Sequence, residues 1–225
     1  MFDLYLKGGI WMHPILLASI VAVTLILERG WYFFRLSGSP YSLFDHLKDH
    51  LARGDIKGAR SAAEQIPGPI GAVLKEGLSA PEEEIEIIQE SMSIRGEEMI
   101  RSANRGIPAL ALIASIATML GLLGTVVGMV ETFQQVAEMK ESVSPALLAS
   151  GIWTALITTV GGLLVAIPTL IAHHYLKSRV SHLRFQLEHY GSELLLLLKK
   201  YRFQEIKEKE RVREAVIGLT TPNGR

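Results

Sequence analysis

The side chains of this sequence best placed to do unusual chemistry are threonines, set among glycines in two stretches that carry no charge. Residues 107–130 and 146–172 contain no Asp, Glu, Lys, Arg or His. Along and just beyond the first stretch, Ala114, Thr118, Gly121, Thr125, Gly128 and Thr132 are spaced 4, 3, 4, 3 and 4, which in a helix places them on one face. In the second, Gly151, Thr154, Ala155, Thr158, Thr159, Gly162 and Ala166 gather in the same way. Two roles fit this pattern. Small residues let helix backbones approach closely, and a threonine can bond back to its own helix. A strip of hydroxyls and carbonyls facing water can instead replace the hydration shell of a passing ion. Gly124 and Gly128 also form a GxxxG pair, which says only that another helix comes close. Proton relays in membranes normally use Asp, Glu or His, and both stretches lack them. If the chain moves ions, the titrating carboxylate belongs to a partner.

The elements that position these residues follow from length and composition. The chain has 225 residues, 48% of them hydrophobic, with 23 Lys+Arg against 23 Asp+Glu and no cysteine. As helices the two uncharged stretches rise about 36 and 40 Å, enough to cross a hydrocarbon core of roughly 30 Å. A further span covers residues 9–27, with Trp11 near one end and Glu28, Arg29 and Trp31 closing the other. It makes a poor signal peptide, because its only basic residue upstream is Lys7 and no small-residue cleavage site follows. The absence of cysteine excludes disulfides, thiolate zinc sites and thiol catalysis, and the balanced charge argues against a nucleic-acid partner. No nucleophile–base pair or phosphate-binding loop is evident, so an enzyme is not expected.

Basic residues set the orientation. Ten lie in residues 28–106 and eleven after His174, which leaves only Lys7 and Lys140 of the 23 for the other connections. The positive-inside rule then gives an outer N-terminus (1–8), a first span (9–27), a cytoplasmic helical loop (28–106) and a second span (107–130). An outer turn (131–145), a third span (146–172), a cytoplasmic helical extension (173–214) and a flexible tail (215–225) complete the chain. Within the loop, 41–51 and 56–65 read as amphipathic helices, broken by Gly54 and by a turn at Pro67-Gly68-Pro69. Pro81 followed by Glu82, Glu83 and Glu84 predicts a helix start, and Gly106 with Pro108 predicts a kink before the second span. Beyond the third span, Val180, Leu183, Leu187, Tyr190, Leu194, Leu197 and Tyr201 form a three-heptad seam. Such helices, with no soluble domain large enough to cap them, predict an oligomer. The expected class is an all-α integral membrane protein with three transmembrane helices, the second and third extended into the cytoplasm, and short amphipathic helices beside them.

Other features have plain structural readings. His173-His174 fits an interfacial position, His13-Pro14 a kinked and water-facing turn of the first span, and Trp153 an interface anchor. Pro168 reads as a kink or packing notch, and the acidic run 82–86 as a helix cap.

Four runs resemble the ExbB/TolQ/MotA ion-channel family: residues 8–16 (GGIWMHPIL), Glu28-Arg29, 121–129 (GLLGTVVGM), and Ala155-Leu156-Ile157-Thr158-Thr159 through Pro168. Three spans and a long first loop are similar to the ExbB/TolQ branch rather than to four-span MotA. The resemblance implies a homo-oligomer, a pentamer, in the bacterial inner membrane with a periplasmic N-terminus and cytoplasmic C-terminus. It also implies an ExbD/TolR-like single-span partner supplying a membrane Asp, and a TonB- or TolA-like transducer that carries the work of ion flow outward. Thr125 and Thr159 correspond by motif to the family's pore-facing threonines. The chain departs from the family pattern at Thr154, where a Glu is usual, and at Thr118, where a Pro is usual. Its Thr158-Thr159 pair is similar to the Thr-Thr pair of sodium-driven flagellar stators, and with Thr125 it offers hydroxyl oxygens suited to a hard cation. No bound cofactor or stable metal is expected. The transported ion is H+ or Na+, with Na+ favoured and held transiently near Thr125, Thr158 and Thr159. The expected ion pathway is Thr118, Thr125, Thr154, Thr158 and Thr159. Gly121, Gly124, Gly128, Gly151, Gly162 and Pro168 are expected to pack beside it. The alternative is a membrane scaffold or transporter accessory subunit whose threonines only pack.

Overall fold

A computed structural model of the chain describes residues 10–36, 41–138 and 145–220, with side chains to residue 214. The described residues form seven helices and no strand: α1 (Met12–Arg35), α2 (Tyr41–Ala52), α3 (Ile56–Gln65), α4 (Gly68–Gly77), α5 (Ile85–Asn104), α6 (Ile107–Glu138) and α7 (Pro145–Thr220). Three of the helical segments are long and apolar enough to cross a membrane. The chain divides into two units, Met1–Phe34 with Asn104–Arg179, and Arg35–Ala103 with Val180–Arg225.

The first unit is built from α1, α6 and the proximal part of α7. On α1 only Ile15, Ala22, Arg29 and Phe33 are buried, a single face, while Leu17, Ile20, Val23 and Leu27 stay exposed. A helix apolar all round with one packed face is what a lipid solvent permits. Arg29 is held within the helix by an ion pair to Glu28 at 2.6 Å and lies 5.6 Å from the Tyr32 ring centre. The helix runs on to Arg35, past the Glu28-Arg29 pair expected to close the first span. Likewise α6 begins at Ile107 but continues through 131–138, where a turn was expected; residues 139–144 lie outside the described residues. Pro168 sits inside α7 without ending it. That helix also continues through 215–220, where a flexible tail was expected.

At the head of α6, Gly106 takes a φ of +77°, a conformation other residues reach only with strain. The expected kink is therefore a break, with α5 ending at Asn104 and α6 starting at Ile107. A side chain at Gly106 would also come within 3.3 Å of Leu25 on α1.

The second unit packs α2–α5 against the distal part of α7 around Phe44, Leu47, Leu74, Leu78, Leu194 and Leu198, all nearly free of solvent. Gly54, also at φ +77°, turns the chain from α2 into α3. Asp55 then caps α3, its Oδ1 accepting from the Gly58 N–H at 2.8 Å and its Oδ2 lying 2.9 Å from His50 Nδ1. Three expectations are extended or corrected here. The expected turn at Pro67-Gly68-Pro69 is present, with Gly68 at φ +77°, but it runs straight into a helix, α4, with proline in the first turn where its missing N–H costs nothing. Secondly, α5 starts at Ile85, one turn later than Pro81. The Arg202 guanidinium donates to the carbonyls of Pro81 and Glu83, which a helix starting at Pro81 would have used for itself. Finally, the seam along α7 slips by one residue: Val180, Leu183, Leu187 and Leu194 are buried as expected, but next comes Leu198 in place of Leu197. A strict 3.5-residue repeat drifts on a straight 3.6-residue helix, and α7 follows the helix.

Candidate functional site: the small-residue contact between α6 and α7

Gly121, Gly124, Gly128, Gly151 and Gly162 all lie where α6 and α7 meet. A Cβ on Gly121 would lie 3.1 Å from the Thr158 carbonyl oxygen and 3.3 Å from the Gly162 Cα. One on Gly162 would lie 2.5 Å from the Ala117 carbonyl oxygen, and one on Gly124 2.5 Å from Thr158 Oγ1. Gly128 faces Ala155, and Gly151 faces the Thr132 side chain. Ala114, Ala117 and Ala166 continue the contact towards the α5 end of α6. At Gly121, Gly128 and Gly162 the two backbones approach closely, and Gly124 and Gly151 make room for the Thr158 and Thr132 side chains.

The threonines separate into two groups. Thr158 is 2% exposed, and its Oγ1 donates to the Ala155 carbonyl at 2.7 Å and lies 3.3 Å from the Gly121 carbonyl. The Thr159 Oγ1 donates to that same Gly121 carbonyl at 3.0 Å while the residue stays partly exposed. These two hydroxyls from α7 converge on one backbone oxygen of α6. Each is the donor in its bond, so each oxygen keeps lone pairs; Thr158 is buried and Thr159 partly exposed.

Thr118, Thr125 and Thr154 are not part of that convergence. Each bonds back to its own helix: Thr118 to the Ala114 carbonyl at 3.0 Å, Thr125 to Leu122 at 2.6 Å and Thr154 to Ser150 at 3.1 Å. Thr125 lines an open apolar groove on α6 with Val126, Met129, Val130, Phe133 and Gln134, one residue around the helix from the glycine face. Pro168 lies on the exposed side of α7.

Two further residues belong to the contact. Thr132 is 5% exposed, bonded to the Gly128 carbonyl at 2.7 Å and packed on Gly151. Thr169 is 2% exposed and bonded to Val165. Thr132 ends the 4-3-4 series on α6, and Thr169 continues the α7 series of Gly151, Ala155, Thr158, Gly162 and Ala166 at spacings of 4, 3, 4, 4 and 3. The Gly121 carbonyl had no side-chain signal at all, since a backbone acceptor is invisible to residue type.

Beyond the glycine face, both helices present large apolar side chains to the outside, among them Leu122, Val126 and Phe133 on α6 and Trp153, Leu156 and Leu164 on α7. In water this surface would be untenable; lipid or other transmembrane helices must cover it.

A model of the MotA/TolQ/ExbB proton channel family matches residues 65–189, which take in α4, α5, α6 and about the first three fifths of α7. The chain is 34% identical over 207 residues to a Synechocystis protein named biopolymer transport protein ExbB-like 1, covering 91% of this chain and 81% of that one. It is 27% identical to the biopolymer transport protein ExbB of Pseudomonas putida, over 84% of this chain and 59% of the relative. The Tol-Pal system protein TolQ of Haemophilus influenzae is 32% identical over 55% of this chain and 54% of its own length. The chain thus spans most of the first relative and little more than half of the other two.

Proposed function

The chain belongs to the MotA/TolQ/ExbB proton channel family, and from that premise we propose that it is the channel-forming subunit of an inner-membrane motor driven by an ion gradient. Its work is to convert the flow of H+ or Na+ into mechanical work on an envelope process such as outer-membrane transport. The observation that carries this reading is the meeting of Thr158 and Thr159 at the Gly121 carbonyl, between two spans with no acidic residue. A chain with hydroxyls but no carboxylate at membrane depth can shape a path and must borrow the titrating group. An ExbD/TolR-like single-span partner would supply that group as a membrane Asp. A TonB- or TolA-like transducer would carry the work outward. In this reading the chain is a homo-oligomer, a pentamer, with α2–α5 and distal α7 in the cytoplasm and the N-terminus in the periplasm. Thr159 and Thr125 face the pathway, and Thr158 buttresses it.

A packing-only role fits Thr158 and Thr132, whose hydroxyls are sealed between the helices. It fits Thr159 less well, since that residue is partly exposed. Thr159→Ala separates the two readings. Native mass spectrometry of the detergent-extracted chain, expressed with its genomic neighbour, is expected to give a pentamer near 124 kDa (5 × 24.8) plus two small partner chains. The variant is expected to keep that mass and lose transport. Loss of the assembly instead would make Thr159 a packing residue and favour the scaffold.

A further inference from the structure

The end of the first unit remote from the α6–α7 connection carries cations that its own carboxylates do not pair. Contacts within the unit fix the heights. Gly128 faces Ala155 and Gly121 faces Gly162, so the numbers of facing residues on these antiparallel helices sum to 283, which brings Arg105 level with Ser178. A side chain on Gly161 would come within 3.1 Å of Met12, and one on Gly106 within 3.3 Å of Leu25, so α1 runs alongside with Glu28 and Arg29 at the same height. Arg29, Arg105, Lys177 and Arg179 thus share one level with a single carboxylate, Glu28, which Arg29 already pairs at 2.6 Å. Arg105 and Lys177 are exposed, and neither enters an ion pair among the described residues. The other described carboxylates of the unit, Glu131 and Glu138, lie at the far end of α6.

Beyond the unit, the nearest carboxylates in sequence do not neutralise this level. Glu98, seven residues before Arg105, is paired with Arg95 at 2.8 Å, and Glu188 lies nine residues, or about 14 Å of helix, past Arg179. Aromatic side chains border the cations. Trp31, Phe34 and Tyr175 are 62%, 76% and 61% exposed, and the Arg179 guanidinium lies 6.0 Å from the Tyr175 ring centre. Within two turns begins the apolar surface of the spans, where Leu27, Leu170 and Ile171 are exposed.

We propose that this collar binds anionic phospholipid, with the headgroup phosphate at Arg105, Lys177 and Arg179 and the acyl chains on the apolar surface of the spans. Charge selects the class. Four cations against one carboxylate favour a headgroup that is a net anion, whereas a zwitterionic headgroup brings an ammonium of its own into the same field. Exposed Trp and Tyr mark headgroup depth. A free phosphate would satisfy the cations but leave the apolar surface beside them uncovered, and a lipid covers both. On the orientation proposed above the collar lies in the inner leaflet, and it does not depend on which ion the chain carries.

The test titrates the full-length chain, in neutral detergent, with phosphatidylglycerol or with phosphatidylcholine of the same acyl chains, and reads retained lipid by native mass spectrometry. Phosphatidylglycerol is expected to bind about 25-fold more tightly, about fivefold for each of the two unpaired cations. Arg105→Gln with Lys177→Gln is expected to erase that preference while phosphatidylcholine binds as before. Each single variant is expected to lose about fivefold, and these carry the test if the pair unfolds. Arg105→Lys with Lys177→Arg is expected to keep the preference, as is Lys199→Gln with Lys200→Gln, an equal loss of charge on distal α7. Equal retention of the two lipids overturns the site. So does a preference that survives the glutamine variants or falls equally in the distal pair. Glycerol 3-phosphate that displaces the lipid at equal concentration would assign a free-phosphate site and overturn the lipid.

Discussion

Thr158 shows how much of the α6–α7 contact depends on single atoms. Gly124 is tolerated only because it lacks a Cβ, which would sit 2.5 Å from Thr158 Oγ1 and 2.7 Å from its Cβ. Gly124→Ala is expected to destabilise the chain by about 1–3 kcal/mol through overpacking, despite alanine's better helix propensity. Denaturation in detergent would show it as a lowered midpoint, and Thr158→Ala in the same chain should return part of the loss by removing the hydroxyl and methyl that Cβ meets. Away from the membrane, Asp55 is held below its ordinary value of 3.8 first by the Gly58 N–H and then by His50. A carboxylate with a lowered folded pKa contributes stability above the unfolded value and loses it as pH falls through the folded one. Asp55→Asn keeps a capping oxygen but no charge. Its stability deficit is accordingly expected at neutral pH and to vanish in acid below the folded pKa, read from denaturation midpoints across that range. The threonine and glycine face was legible because residue type reports directly on size and hydroxyl chemistry. That Thr158 is sealed while Thr159 is open was not, since they are sequence neighbours of identical type.

Among the elements, those set by periodicity were read well and those set by a distant contact were not. The amphipathic stretches at 41–51 and 56–65 became α2 and α3 nearly residue for residue. The start of α5 was misplaced although Pro81 and three glutamates signal it strongly, because Arg202, more than a hundred residues away, takes the carbonyls needed. At α4 the Pro-Gly-Pro turn was half right. Gly68 does adopt φ +77°, and a side chain on Gly71 would strike the Ile66 carbonyl, so the chain turns there and then enters a helix at once. The break at Gly106 yields the sharpest prediction at this scale. Gly106→Ala forces a left-handed alanine or a shift of α6 against Leu25. A loss of about 1–2 kcal/mol is expected, measurable as a lower thermal midpoint in detergent.

For the whole molecule, composition alone announced a membrane protein, and the family match agrees with three long apolar helices. In the proposed motor, the coupled ion depends on the groups that line its path. Thr118 is exposed and Thr125, Thr154 and Thr159 are partly exposed, so these are the described threonines of α6 and α7 within reach of a hard cation. Sodium coupling is the expected outcome: transport by reconstituted chain and partner should fall when sodium is replaced by potassium and survive a protonophore. The reverse pattern would assign the proton. A mechanical consequence follows from the glycine contact. Where Gly121 meets Gly162 and the Ala117 carbonyl, no side chain stands between the two backbones. Joints elsewhere in the protein can absorb a push by switching rotamers, but this one has no torsion to yield. In the proposed motor, a torque on α6 would pass to α7 at this level through backbone alone, and the two helices would turn as a single stave.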